Sequence, residues 1–419
     1  MGLKNIKTDN SKLTDLKSSY ITLWHNTSCD FPDFNYKINY FNKLLNEREI
    51  EKCSKKLAKK IKIIPQCQSE KDLLSANIFT LIEKLESKII GKNKSLIRFF
   101  SGKGYANITE QFIAEVKKFD SNMHFYDIFQ AIRNVWIMNS IQLLFNIDVK
   151  MTDSIFSYSM LYPYSDNYLD DVNITSLEKK EFNNRFKAWL YDDKIQPKSQ
   201  LEECIYKLVQ RIKKEFPSHK YPQVSQSLIA IHAAQEKSMF QQAVNTPSEN
   251  EILNISFEKG GTSVMADGYL VKGNLSVAEQ EFLFSYGLLL QLIDDLQDVK
   301  EDLASDNLTI FSHRVTKGNL NEITNKLLRY IEVVFSQAKI IYTSETLKLK
   351  EIIQYSCKMM IIEAISKNKE LYTKTYLKKI EQYSHVRLPY YQKLQRKLRV
   401  QYTEKELNNI FTAFSQQCS

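Results

Sequence analysis

The stretch FLFSYGLLLQLIDDLQDVKED, residues 282–302, decides how the chain is read. Leu283, Gly287 and Leu290 recur at helical intervals and lead directly into Asp294, Asp298 and Asp302, spaced i, i+4, i+8. On an α-helix these three acids fall within an arc of about 80° and span about 12 Å. Like charges on one stripe repel one another, and acids sit unfavourably toward a helix C-terminus. Helix stability alone would not select them. Ser276 and Glu279 form a capping box that starts the helix, and the pattern predicts an unbroken run to about 302–305. One reading is a carboxylate cluster holding divalent metal at the rim of an apolar cavity. The other is an exposed acidic helix end paired with lysines.

Composition supports helices. The 419 residues include only 10 glycines and 8 prolines, against about 12% for the two together in an average protein. A sandwich, barrel or propeller of this length consumes far more of both in its turns. Apolar periodicity predicts helices over 76–90, 125–145, 176–190, 200–216, 225–244, 321–341 and 347–365. The expectation is an all-α bundle of ten or more helices. Residues 1–75 are Lys- and Asn-rich with broken periodicity, predicting an extension of short helices and loops around Pro32 and Pro65, followed by one domain over 76–419.

The net charge is +9, and the six cysteines are scattered without a CxxC pair. That suits reduced thiols in a cytoplasm. Basic runs such as 55–62 and 393–399 carry no zinc spacing or aromatic RNA-binding signature, so they read as solvated helix faces and nucleic acid is not expected as a partner. No apolar run is long enough to cross a bilayer.

A second acidic group lies in YPYSDNYLDDVNIT, residues 162–175. Asp166 and Asp170 are again i, i+4, with Asn167 and Asp171 beside them, and the stripe leads upstream through Tyr162 and Ser159. Pro163 kinks or starts this helix. Two carboxylate clusters, each topping an apolar face, suggest metals held between two facing helices. All-oxygen ligands favour Mg²⁺ or Mn²⁺ and imply a phosphate-bearing ligand. A di-iron site needs Glu-x-x-His pairs, which the chain lacks. Between the clusters, EKGGTSVMADGYLVKGNL (258–275) holds four of the ten glycines and predicts a broken helix or functional loop.

These residues resemble the class I isoprenoid synthases. Asp294-Asp295-Leu-Gln-Asp298, preceded by Gln291, is similar to the second aspartate-rich motif of trans-prenyltransferases, and Asp166-Asn167-Tyr-Leu-Asp170 resembles the first DDxxD motif. NYLDD together with EKGGTSVMADGYLV resembles the class IB large terpene synthases of the tetraprenyl-β-curcumene synthase type. Ile174 stands where that type's first motif ends in Asp. The likeness spans about residues 125–315.

The resemblance implies an isoprenoid synthase-type bundle enclosing an apolar cavity. Asp166, Asn167, Asp170 and Asp171 would hold one part of a three-ion Mg²⁺ cluster, with Mn²⁺ as the alternative metal. Asp294, Asp295, Asp298 and Asp302 would hold the remainder. Asp166, Asp170, Asp294 and Asp298 carry the catalytic expectation, and Lys259, Lys300 and Arg387 are the candidates to bind diphosphate. Tyr162, Ser159, Phe156, Leu283, Gly287 and Leu290 would line the cavity, with Tyr158, Trp136, Tyr269 and Tyr286 as further aromatic candidates to steady a carbocation. By analogy, the glycine segment 260–268 would expose backbone carbonyls. The implied substrate is a linear, long prenyl diphosphate, cyclised or deprotonated after diphosphate leaves. A homodimer and peripheral membrane contact accompany the likeness.

Two other functions stay open. A prenyl diphosphate condensing enzyme, elongating or head-to-head, needs a second substrate site. The nearest stretch, SGKGYANIT (101–109), lacks the Arg and Pro of the elongation motif. A non-catalytic helical scaffold or nucleic-acid binder using the basic surface is the remaining alternative.

Overall fold

The computed structural model describes residues 9–62, 67–91, 96–171, 173–191, 193–239, 247–338 and 343–401. Among them every regular element is a helix and no strand occurs, so the fold is all-α. In chain order the helices are α1 (Asp9–Asn26), α2 (Tyr40–Ile61), α3 (Gln68–Ile90), α4 (Leu96–Ser101), α5 (Tyr105–Phe119) and α6 (Phe125–Leu144). Next come α7 (Asp153–Asp170), α8 (Ser176–Leu190), α9 (Gln200–Glu215), α10 (Pro222–Met239), α11 (Glu249–Lys272) and α12 (Val277–Gln297). The last are α13 (Val299–Ala304), α14 (Ile310–Val315), α15 (Asn321–Gln337), α16 (Ser344–Lys367), α17 (Lys374–Glu381) and α18 (Leu388–Gln401).

Two compact units divide the chain, and neither is continuous in sequence. The first comprises 1–37 and 223–384; the second comprises 38–222 and 385–419. Residue 75, where the sequence pattern changes, lies inside the second unit within α3. The N-terminal segment forms long helices rather than the short ones expected: α1 has 18 residues and α2 has 22. The loop around Pro32 separates them, and Pro65 lies outside the described residues.

In the first unit α12 is the central element, lying against α11, α15 and α16. Leu283, Leu288, Leu289 and Leu292 are fully buried along it. The packing of α11 on α12 explains the glycines. Instead of breaking, α11 runs straight through Gly260, Gly261 and Gly268. Each glycine costs a helix about 1 kcal/mol relative to alanine, and here each buys close approach. A Cβ on Gly260 would stand 2.6 Å from the Gly287 carbonyl oxygen, one on Gly261 2.2 Å from the Phe284 ring, and one on Gly268 2.2 Å from Leu283. The break expected at 260–268 is therefore a packing seam.

The second unit is organised around α7, which packs on α6 and α9. Pro163 lies within α7, which continues to Asp170. The Arg185 fork clamps buried Glu202 at 2.9 and 2.6 Å, tying α8 to α9. Arg211 of α9 reaches Asp153 at the start of α7 at 2.6 Å and lies 4.5 Å above the Phe156 ring.

Candidate functional site in the first unit

The predicted capping box forms. The Ser276 side chain accepts from the Glu279 amide, the Glu279 carboxylate accepts from the Ser276 amide, and α12 begins there. Its other end departs from expectation. The helix stops at Gln297, Asp298 takes φ −101°, and α13 starts a new segment. The i→i−4 bonds nevertheless persist across the break, from the Asp298 amide to the Asp294 carbonyl and from the Asp302 amide to the Asp298 carbonyl, each 2.9 Å. That continuity keeps the three acids in helical succession although they belong to two helices.

Asp294, Asp295, Asp298 and Asp302 all line one cleft of about 120 Å³. Its opposite wall is Ser256 and Lys259 of α11, and the loop residues Asn307 and Thr309 close one end. Asp294 and Asp298 are exposed, Asp302 is half-buried and Asp295 is only 6% exposed. Gln291 donates to one Asp295 oxygen at 2.8 Å and Ser256 to the other at 3.1 Å. Burial is the main cause that pushes the Asp295 carboxyl up to about 7; Asp294 and Asp302 add to it, while the Gln291 bond and Lys259 act the other way. Asp302 accepts from Asn307 at 2.8 Å and Thr309 at 3.2 Å. Burial, reinforced by Asp298 and Asp294, still holds its carboxyl above the usual range.

The donor chemistry fits a hard cation: all-oxygen groups, two of them exposed carboxylates. Among the described residues, no three His, Cys, Asp or Glu side chains are already gathered around one ion position. Mg²⁺ typically takes one or two carboxylates and completes its shell with water and phosphate, so Asp294 and Asp298 are a sufficient protein share.

The remaining sequence candidates are distributed as follows. Asp166, Asn167 and Asp170 lie on the last turns of α7, in the second unit, and their side chains are outside the described residues. Asp171, just past that helix, accepts from the Asn173 amide at 2.8 Å, which shapes the turn. Of the basic candidates, only Lys259 lines the cleft. Lys300 pairs with Glu370 and donates to the Lys367 carbonyl at 2.8 Å. Arg387 belongs to the second unit and grips Glu47 of α2 with a fork at 2.9 and 2.6 Å. Both are committed to ion pairs that nothing in the sequence signals.

The residues expected to line a cavity are placed as follows. Leu283 and Gly287 sit in the α11–α12 seam, and Leu290 is half-buried on the same helix. Phe156 is enclosed by Phe112, Phe119 and Arg211. Ser159 is fully buried and accepts from Asn134 at 3.2 Å. Tyr162 is half-buried against Tyr158. Tyr286 stacks on Phe282 beside Phe335, Tyr269 is buried on α11, and Trp136 is exposed with its indole donating to Thr109.

Sequence reading missed Ser256, Asn307 and Thr309. No spacing marks them, because two come from a loop and one from a helix that reaches the acids only through tertiary packing. Among the described residues no helix is long and apolar enough to cross a membrane. The chain was compared with protein-family models, curated proteins and solved structures, and none matches.

Proposed function

We propose that the chain is a Mg²⁺-dependent class I terpene synthase that ionises a linear prenyl diphosphate. The observation that carries the reading is the convergence of Asp294, Asp295, Asp298 and Asp302 on one cleft facing Lys259. Bound there, Mg²⁺ would supply Lewis-acid stabilisation of the diphosphate leaving group.

The residues divide their work by burial. Asp294 and Asp298, exposed at the rim, are the groups assigned to hold cations. Asp295, with both oxygens engaged, braces α12 against α11 underneath. Asn307 and Thr309 orient Asp302. Lys259 is the cleft's own positive charge and meets phosphate oxygens. In the reaction the allylic C–O bond breaks, its electron pair leaves with diphosphate, and the carbocation closes a ring or loses a proton. The cation must be kept from water until then. By resemblance the motif Asp166–Asp171 is the other aspartate-rich motif of the reading, and its part is tested by its own substitution.

The test is diphosphate release with Mg²⁺ from prenyl diphosphates of increasing length, each offered alone, with extraction of the products. Release with a hydrocarbon or alcohol product supports the reading. Turnover only after isopentenyl diphosphate or a second allylic substrate is added would replace it with a condensing enzyme. Silence throughout would leave neither.

A further inference from the structure

Lys367, the last residue of α16, reaches Asp298 from more than sixty positions downstream of the acidic motif and carries no motif of its own. Its place is fixed by its neighbours. The side-chain Nδ2 of fully buried Asn368 donates to the Leu296 carbonyl at 3.1 Å, tying the end of α16 to the end of α12. Lys300 donates to the Lys367 carbonyl at 2.8 Å and pairs with Glu370, tying the same turn to α13. The Lys367 ammonium is thereby held 3.5 Å from Asp298 Oδ1 and 3.2 Å from Glu301 Oε1.

We propose that Lys367 is the resident counter-ion of Asp298, and that a divalent cation entering the cleft must take its place. The proposal rests on the reading of Asp298 as a cation ligand. An ammonium and a metal ion compete for the same carboxylate charge, and Asp298 both lines the cleft and faces Lys367. The pair is easily exchanged: the side chains are 29% and 52% exposed, and ion pairs of that kind are weak. After exchange Lys367 keeps Glu301 as a partner, so no charge is stranded. Lys367 is a positioning residue in this scheme, because it acts through Asp298.

The sign of the effect separates this role from a ligand or purely structural one. Mn²⁺ binding to the full chain, without substrate, is measured from the free-ion EPR signal. Lys367→Met and Lys367→Gln should each bind Mn²⁺ about two- to fivefold more tightly than the native chain, the range expected for losing one weak exposed ion pair. Lys367→Arg, which keeps the charge, should not tighten binding. Lys358→Met removes the same charge from the same helix at its pair with Glu332, and should leave affinity unchanged. Unchanged or weaker binding in Lys367→Met and Lys367→Gln, equal tightening in Lys358→Met, or no Mn²⁺ binding by the native chain would overturn the proposal. Tightening without diphosphate release from any prenyl diphosphate would uphold it while defeating the terpene synthase reading.

Discussion

The carbonyl oxygen of Gly260 lies so close to Gly287 that a Cβ there would stand 2.1 Å from it. Backbone meets backbone at this point, so neither helix can relieve an added methyl by turning a side chain. The contact lies one turn below Gln291 and sets the spacing of the α11 and α12 walls of the cleft.

Gly287→Ala is therefore expected to destabilise the first unit by about 1–3 kcal/mol or more, the cost of overpacking a tight interior. Urea unfolding would show it as a lower midpoint. Gly261→Ala meets the Phe284 ring instead, and a ring can shift, so its loss should be smaller.

Asp294→Ala and Asp166→Ala should each lower diphosphate release at least about a hundredfold, in the range of losing one transition-state contact, with far-ultraviolet circular dichroism unchanged. The two substitutions test the motifs separately. Near-native turnover in either variant removes that motif from the mechanism.

Glu202 is expected to make the second unit sensitive to acid. Burial alone would push its carboxyl up, but the Arg185 fork and the Lys198 amide outweigh that and hold it below the usual range. A carboxyl lowered in the folded state contributes stability above its unfolded pKa and loses it as pH falls through the folded value. Glu202→Gln should cost about 3–5 kcal/mol at neutral pH, as for a broken buried pair. Its stability should also fall less steeply than the native chain's below pH 4, as followed by thermal melts across pH.

The thiols should react in order of exposure. Cys29 and Cys67 are exposed, whereas Cys357 is buried and its thiol is pushed up to about 12 by burial. A maleimide should label Cys29 and Cys67 in the folded chain and reach Cys357 only with denaturant, a pattern readable by peptide mass mapping.

Local signals translated well into structure. The Ser276–Glu279 box starts its helix where expected, and the periodicities over 176–190 and 200–216 reproduce α8 and α9 nearly to the residue. The acids at 294, 298 and 302 share a cleft because four-residue spacing survives even a break between helices. Features that depend on distant partners were hidden. Gly260, Gly261 and Gly268 read as a helix break because propensity is local, whereas their use lies on the facing helix. Lys300 and Arg387 looked available for phosphate because Glu370 and Glu47, which hold them, are not marked by spacing. Lys367 gave no signal, since only the packing of α16 brings it to Asp298.

The interleaved division of the chain has a consequence for its synthesis. Helix α1 belongs to the first unit, yet Lys17 bonds to Glu258 and Tyr20 to the carbonyl of Glu281, separations of 241 and 261 residues. At about 5–20 residues per second on the ribosome, α1 waits roughly ten to fifty seconds for these partners to emerge. Buried Trp24 and Tyr20 are without their final cover throughout that interval. Helix α1 is made long before its partners and housed late, so its apolar face waits on the ribosome for cover that only distant sequence supplies.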